Sequence, residues 1–397
     1  MAAHLPQGFR AAGVHCGIKS NPQKEDLTLI VSDSPAVAAG VYTQNLVCGA
    51  PVQLNRSRTP SESIRAVVVN SGVANACTGE QGMRDAQAMA RLAAATCGAA
   101  EEQALVMSTG IIGQHLPMDR IEQGLASAGS QLADSDDALL RAARGMMTTD
   151  TVPKIQGRDL MLDGREVRIT GIAKGAAMIG PNMATMLGVL LTDAALTPRD
   201  AQAALVTAVN DSFNCISVEG HTSTSDMVLL LAGGAAGGPT LAGASLQKFQ
   251  GVLNQICEEL ARAIPTDGEG ASHLITIEVC GCASTEDARR IAKTVANSPL
   301  VKTAITGADP NWGRIVSAAG YAEVPFDPTG VSLWVNSFLL YKNGAPVDFE
   351  AEKVSASIRD HRDTGIVLLF SEGAASARFW TMDLTAEYVR LNADYHT

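Results

Sequence analysis

Aromatic side chains are scarce in this sequence: Phe, Trp and Tyr make up 4% of its 397 residues. The large core that 46% apolar content allows must therefore be built from Ala, Val, Leu, Ile and Met. Positive charge is also thin. Lys and Arg number 30 against 41 Asp and Glu, for a net charge of −11, which excludes the basic footprint of a nucleic-acid-binding domain. No apolar run approaches the ~20 residues of a membrane-spanning helix. MVLLLAGGAAGG, among the longest, is broken by glycine. The opening stretch MAAHLPQGFRAAGVHCGIKS lacks the contiguous apolar segment of a secretory leader. A cytoplasmic location is the expectation.

Cysteine pairs are missing too. Eight cysteines are scattered without a CxxC, so neither a zinc site nor a disulfide framework is indicated. Cys280 and Cys282, two apart in HLITIEVCGC, are expected on the same side of a strand as small thiols in a reducing compartment. The P-loop, HExxH and GxSxG signatures are absent, and the seven histidines show no metal-ligand spacing. His221 in EGHTSTSDM is the best histidine for a catalytic part. GADPNWGRIV reads as a tight turn pinned by Trp312, and the glycine-rich AGGAAGGPTLAGAS as a surface loop.

What the chain does have is alternating strands and helices, the pattern of an α/β fold with sheets covered by helices. LTLIVSD, AVAAGVYT, IRAVVVNSG, DMVLLLAGG and HLITIEVCGC are rich in β-branched and apolar residues and read as strands. MRDAQAMARLAAATCG places Met83, Ala86, Ala90, Ala93 and Cys97 on one helical face, with Gly98 closing the helix. DSDDALLRAARGMM and TPRDAQAALVTAVNDSFNCIS read as helices, the second starting near Thr197 or Asp200. The long SLQKFQGVLNQICEELARAIPTDGEG ends near Pro265, and TEDARRIAKTVANSP has an acidic first turn. The last hundred residues read as strands (VSLWVN, GIVLLFSEG, ARFWTMDL) among loops.

One stretch asks for more than a fold. KGAAMIGPNMATMLGVLLTD sets the turn signal PNM, then Ala184 and Thr185, at the head of an apolar strand. Threonine commonly begins a strand. It can also be a nucleophile if a base sits beside it, and a free α-amino group on the same residue is such a base, with a pKa of roughly 7.7–8.0. That amine exists only if the chain is cut before Thr185. The cut can be self-made, by attack of the Thr185 hydroxyl on the carbonyl of Ala184.

The blocks PQGFRAAGVHCGIK, YTQNLVCGAPV, VVVNSGVANACTGEQG, MSTGIIG, MTTDTVPK, KGAAMIGPNMATML, TSTSD, DGEGA, TGADPNWGRI and LNADYHT together resemble the ornithine acetyltransferases, also called glutamate N-acetyltransferases, of arginine biosynthesis. They fall in the family's order over nearly the whole chain. The resemblance implies an αββα-type layered sandwich with an N-terminal-nucleophile-like site. It implies self-cleavage between Ala184 and Thr185 into an α chain of 1–184 and a β chain of 185–397, assembled as a heterotetramer. Thr185 would take acetyl from N-acetylornithine and pass it to glutamate, without metal or organic cofactor. Some members also use acetyl-CoA, for which no phosphate-binding loop is seen. Thr109 and Gly110 match the family's oxyanion-hole pair. Thr151, Lys174, Thr185, Glu269, Asn392 and Thr397 match its substrate contacts, Lys174 suiting an α-carboxylate and Glu269 an ammonium. Two departures stand out: Ala176 and Ala177 where a glycine is frequent, and His221 where an acidic residue is usual. The alternatives are a self-processing, aminopeptidase-like hydrolase and an uncleaved binding protein in which Thr185 only starts a strand.

Overall fold

The computed structural model describes residues 3–180 and 186–394. Its strands, in chain order, begin with β1 (Phe9–Val14), β2 (Leu27–Tyr42), β3 (Ser61–Val73), β4 (Ala104–Ile111), β5 (Lys154–Leu162), β6 (Arg165–Lys174), β7 (Leu187–Thr192) and β8 (Ile216–Ser217). They continue with β9 (Met227–Ala232), β10 (Leu274–Cys282), β11 (Ser332–Val335), β12 (Phe338–Lys342), β13 (Ala345–Pro346), β14 (Asp363–Leu369) and β15 (Ala375–Met382). The α-helices are α1 (Ala50–Arg58), α2 (Gly79–Ala95), α3 (Met118–Ser130), α4 (Asp136–Met146), α5 (Pro198–Asn210), α6 (Gly243–Thr266), α7 (Thr285–Ala296), α8 (Pro299–Thr306), α9 (Trp312–Gly320), α10 (Ala351–Arg359) and α11 (Ala386–Asp394).

Two mixed sheets result. The first runs β4-β3-β2-β9-β7-β6-β5, with β1 paired to β2; the second runs β13-β12-β11-β14-β10-β15-β8. At the middle of the first sheet β7 (LGVLLT) and β9 (MVLLLA) pair in parallel, every residue buried. An unbroken apolar run is what a strand covered on both faces requires. Helices α2 and α3 cover one face of β1–β4, packing Met89 and Ile121 on Leu27, Leu29 and Val68. Helix α4 covers the opposite face with Leu139 and Met146. Helix α6 packs on β5 and β6 of the first sheet and on β8 and β15 of the second, so one apolar core runs through both. The layered α/β expectation holds. Among the described residues no helix is long and apolar enough to cross a membrane.

Local signals explain most boundaries. The hydroxyls of Ser135, Thr197 and Ser284 accept the N–H three residues on and start α4, α5 and α7. Gly98 takes the left-handed φ of +66° just past α2, although that helix is centred earlier than expected. Its buried face is Ala86, Met89, Ala90 and Ala93, while Met83 and Cys97 are only half-buried. The two expected strands at 27–42 are one, because Asp33-Ser34-Pro35 forms an exposed bulge inside β2. Pro is tolerated in a sheet at such a bulge. Cys280 and Cys282 do not share a side. Gly281, at φ +78°, makes a bulge that flips the alternation, leaving Cys280 half-buried and Cys282 in the core. Nor are the thiols uniformly buried: Cys215, Cys257 and Cys282 are, and Cys77 is exposed. The GADPNWGRIV turn occupies 309–311 and then opens α9. There Asn311 caps Arg314 N–H at 3.1 Å and a half-buried Trp312 stacks on Tyr341 at 5.4 Å.

Candidate active site

Parallel pairing of β3 and β4 sets Thr109 beside Ser71 and Gly110 beside Gly72 at the end of both strands. Gly110 has φ +128°, and a Cβ there would collide with the Gly72 carbonyl, so this backbone admits no side chain. On the far side of the central pair, β6 ends at Lys174, in register with Leu187 at the start of β7. The loops leading into β5 and β9, the loop after α6 and the end of α11 close over the same place. They enclose a cavity of about 880 Å³ whose walls include Thr109, Gly110, Thr151, Lys174, Glu269 and Asn392. That volume falls in the range of roughly 300–1,000 Å³ usual for small-molecule sites.

A buried charge network stiffens one wall. Lys154 donates to Asp150 at 2.7 Å and to Asp267 at 2.7 Å. Asp150 also accepts the Gly175 N–H at 2.6 Å. Asp267 accepts the Thr151 N–H at 3.0 Å and the Thr151 hydroxyl, which fixes Thr151 at the cavity mouth. Burial would raise the Asp150 carboxyl, yet Lys174 and Lys154 hold it down at about 2. Lys174 is buried, and this pushes its ammonium pKa below the ordinary lysine value against the pull of Asp150. Its Nζ lies 3.1 Å from Thr109 Oγ1. The opposite wall is joined to the first by backbone: the Glu269 N–H donates to the Ala176 carbonyl at 3.0 Å. Asn392 then donates to Glu269 Oε2 at 3.0 Å.

The segment 181–185, and with it Ala184 and Thr185, lies outside the described residues, as does Thr397. Its flanks are both held by the 217–227 segment. Upstream, the Ile179 carbonyl accepts N–H groups of Val218 at 2.9 Å and Gly220 at 3.0 Å. Downstream, the Met186 N–H donates to Asp226 Oδ1 at 3.0 Å, and the Met227 N–H to the Met186 carbonyl at 3.3 Å. Asp226 is fully buried, which raises its carboxyl well above the usual range.

All six described residues that the resemblance assigned to the site line this one cavity. Ala176 is buried and Ala177 is part of the wall, so the glycine-poor loop still delivers Lys174. His221 is exposed and is not part of the wall. Beside it Glu219, pushed up to about 7 by burial, went unnoticed in the sequence. Also missed were the Asp150–Lys154–Asp267 network and Ser223, Thr224 and Ser225, although they lie within or against the quoted blocks. Lys24 and Arg362 line the cavity as well, and no local pattern marked either.

Residues 10–397 match the model of the ArgJ family. The chain is 46% identical over 395 residues to the arginine biosynthesis bifunctional protein ArgJ of Symbiobacterium thermophilum, covering 99% of this chain and 98% of that one. It is 44% identical over 396 residues to the protein of the same description from Rhodopirellula baltica, covering 99% and 96%. A crystal structure of the arginine biosynthesis bifunctional protein ArgJ from Bacillus halodurans aligns with a TM-score of 0.51 at 38% identity, over 52% of this chain and 98% of that chain.

Proposed function

This chain belongs to the ArgJ family, and on that premise we propose that its cavity moves an acetyl group from N-acetylornithine to glutamate through an ester on Thr185. The enzyme is an acetyltransferase of arginine biosynthesis, the process that its relatives' descriptions name; a hydrolase of related fold is not favoured. The observation that carries the reading is convergence: Thr109, Gly110, Thr151, Lys174, Glu269 and Asn392, far apart in sequence, wall one cavity. The Met186 flank of the proposed cut is anchored on the segment that supplies Ser223, Thr224 and Ser225 to that cavity.

The chemistry runs in two balanced halves. Thr185 Oγ attacks the acetyl carbonyl and its proton passes to the free α-amine. The Thr109 hydroxyl and the Gly110 N–H take the oxyanion. The C–N bond breaks, ornithine leaves with the proton, and an acetyl ester remains. The α-amine of glutamate attacks that ester, the C–O bond breaks, and the oxygen of Thr185 recovers a proton. Lys174, Lys24 and Arg362 offer cations to the substrates' carboxylates, and Glu269 a partner for the ornithine ammonium. Neither half needs a metal or organic cofactor, and acetyl-CoA can enter as a second acetyl donor to the same threonine.

Self-cleavage precedes this: Oγ of residue 185 attacks the carbonyl of Ala184, the peptide becomes an ester, and water opens it. The length of the Bacillus halodurans chain supports a cut near the middle, since that chain, matched over 98% of itself, spans only 52% of this one. We further read the assembly as a cytoplasmic heterotetramer of two α and two β chains.

Intact mass and N-terminal sequencing of purified protein test the cut; a chain beginning at Thr185 is expected. Thr185→Ala should remain a single chain without acetyl transfer, and wild-type activity in that variant would overturn the mechanism. Ornithine release should stall without glutamate; release at equal speed would instead mean a hydrolase.

A further inference from the structure

We propose that Lys174 is a positioning residue of the oxyanion hole: its ammonium occupies the Thr109 oxygen and turns the Thr109 hydroxyl proton into the cavity. This rests on the reading of Thr109 as an oxyanion donor and gives Lys174 a task beside its contact with the substrate carboxylate.

The two side chains come from strands 65 residues apart and meet at 3.1 Å, Lys174 2% exposed and Thr109 4% exposed. An ammonium has three donors and no acceptor, whereas a hydroxyl has one proton and two lone pairs. Lys174 therefore donates, Thr109 Oγ1 accepts, and the hydroxyl proton must point elsewhere. Lys174 is the one hydrogen-bond partner of the Thr109 side chain among the described residues, and Thr109 lines the cavity. An oxyanion placed there meets an O–H already polarised by the Lys174 N–H behind it. The arrangement is fixed before any substrate arrives. Asp150 balances the charge of Lys174 and grips the next residue's N–H at 2.6 Å. Lys154 holds Asp150 in turn, and Asp267 holds Lys154. With neutral Lys174 the hydrogen bond could reverse, Thr109 giving its proton to Nζ and none to the cavity. The carboxylate next to Lys174 works against that.

Self-cleavage separates this role from substrate binding, because the cleaving precursor holds no ornithine or glutamate. Lys174→Met should lower kcat by about 10- to 100-fold, somewhat less than the ~10²–10³ for losing an oxyanion donor outright. It should slow the appearance of the chain starting at Thr185 by a similar factor, which the loss of a substrate contact alone would not do. In a Thr109→Ala background the same substitution should cost little more, since its target is gone. A raised KM with normal kcat and normal cleavage would overturn the proposal, and so would full additivity with Thr109→Ala. If Lys174→Met is recovered unfolded, Lys174→Gln keeps an N–H donor and should show the same ordering more weakly; normal cleavage in that variant is equally fatal. Thr109→Ala with wild-type kcat would instead remove the oxyanion reading itself, and an uncut wild-type chain the cleavage reading.

Discussion

Gly110 and Asp150 show how single residues constrain this site. Gly110 holds a left-handed φ against a neighbouring carbonyl. Gly110→Ala must therefore shift the β3–β4 strand ends, and it should cost well over the ~1 kcal/mol typical of a point substitution. Both a lowered Tm and slowed self-cleavage are expected; a soluble variant with wild-type values of both would refute the tight approach. Asp150 has its carboxyl depressed from 3.8 to about 2 in the fold, so the folded state favours its ionised form. A depressed carboxyl stabilises above its unfolded pKa, and that stabilisation is lost as pH falls from 3.8 through about 2. Asp150→Asn, which leaves Lys154 and Lys174 short of a counter-charge, should melt below wild type at neutral pH. The gap should narrow over that acid window, read by thermal melts at several pH values; a gap independent of pH would mean that Asp150 is not the ionised partner. The notice given by the sequence was uneven here. Thr109, Lys174 and Glu269 stood out through motifs, whereas Lys24 and Arg362 reach the cavity by folding alone.

At the scale of elements, the C-terminal helix deserves a test of its own. Helix α11 is tied to the loop after α6 through Thr385 Oγ1, which donates to the Gly270 carbonyl at 2.7 Å, and through Asn392 on Glu269. Deleting 392–397 removes the second tie only. KM for N-acetylornithine should rise several-fold while cleavage proceeds, because among the described residues Asn392 bonds to Glu269 and Tyr388 and to neither flank of the cut. Unchanged kinetics would take Asn392 out of the site. Elements also mark where periodicity misleads. The bulges at Asp33–Pro35 and Gly281 each alter the two-residue alternation of a strand. The helices α8 to α11 went unread in a stretch taken for strands and loops. They have eight or nine residues each, shorter than the roughly 11–18-residue window over which helical periodicity is read, and docking on neighbours stabilises them more than propensity does.

At the scale of the whole molecule, the order of the first sheet bears on the cut. β7 and β9, which follow residue 185, are inserted between β2 and β6, which precede it. Cleavage would thus leave two chains sharing one sheet, with antiparallel pairing of β6 to β7 and of β2 to β9 across the break. The pieces cannot part without losing both ladders and the buried core around them. They should co-elute in non-denaturing chromatography and unfold in a single denaturant transition. Separation under native conditions would contradict the shared sheet.

The α/β class, the central all-apolar strands, several helix starts and the family were legible before any folding, because these depend on periodicity, capping side chains and contiguous blocks. The sequence also marked Thr109, Gly110, Thr151, Lys174, Glu269 and Asn392 one by one. Only the tertiary structure decided that the six share a cavity, that Lys174 faces Thr109 with Asp150 behind it, and that the two halves interleave. Those are contacts between residues tens to hundreds of positions apart, set by strand order and by burial of charge, and no local pattern encodes either.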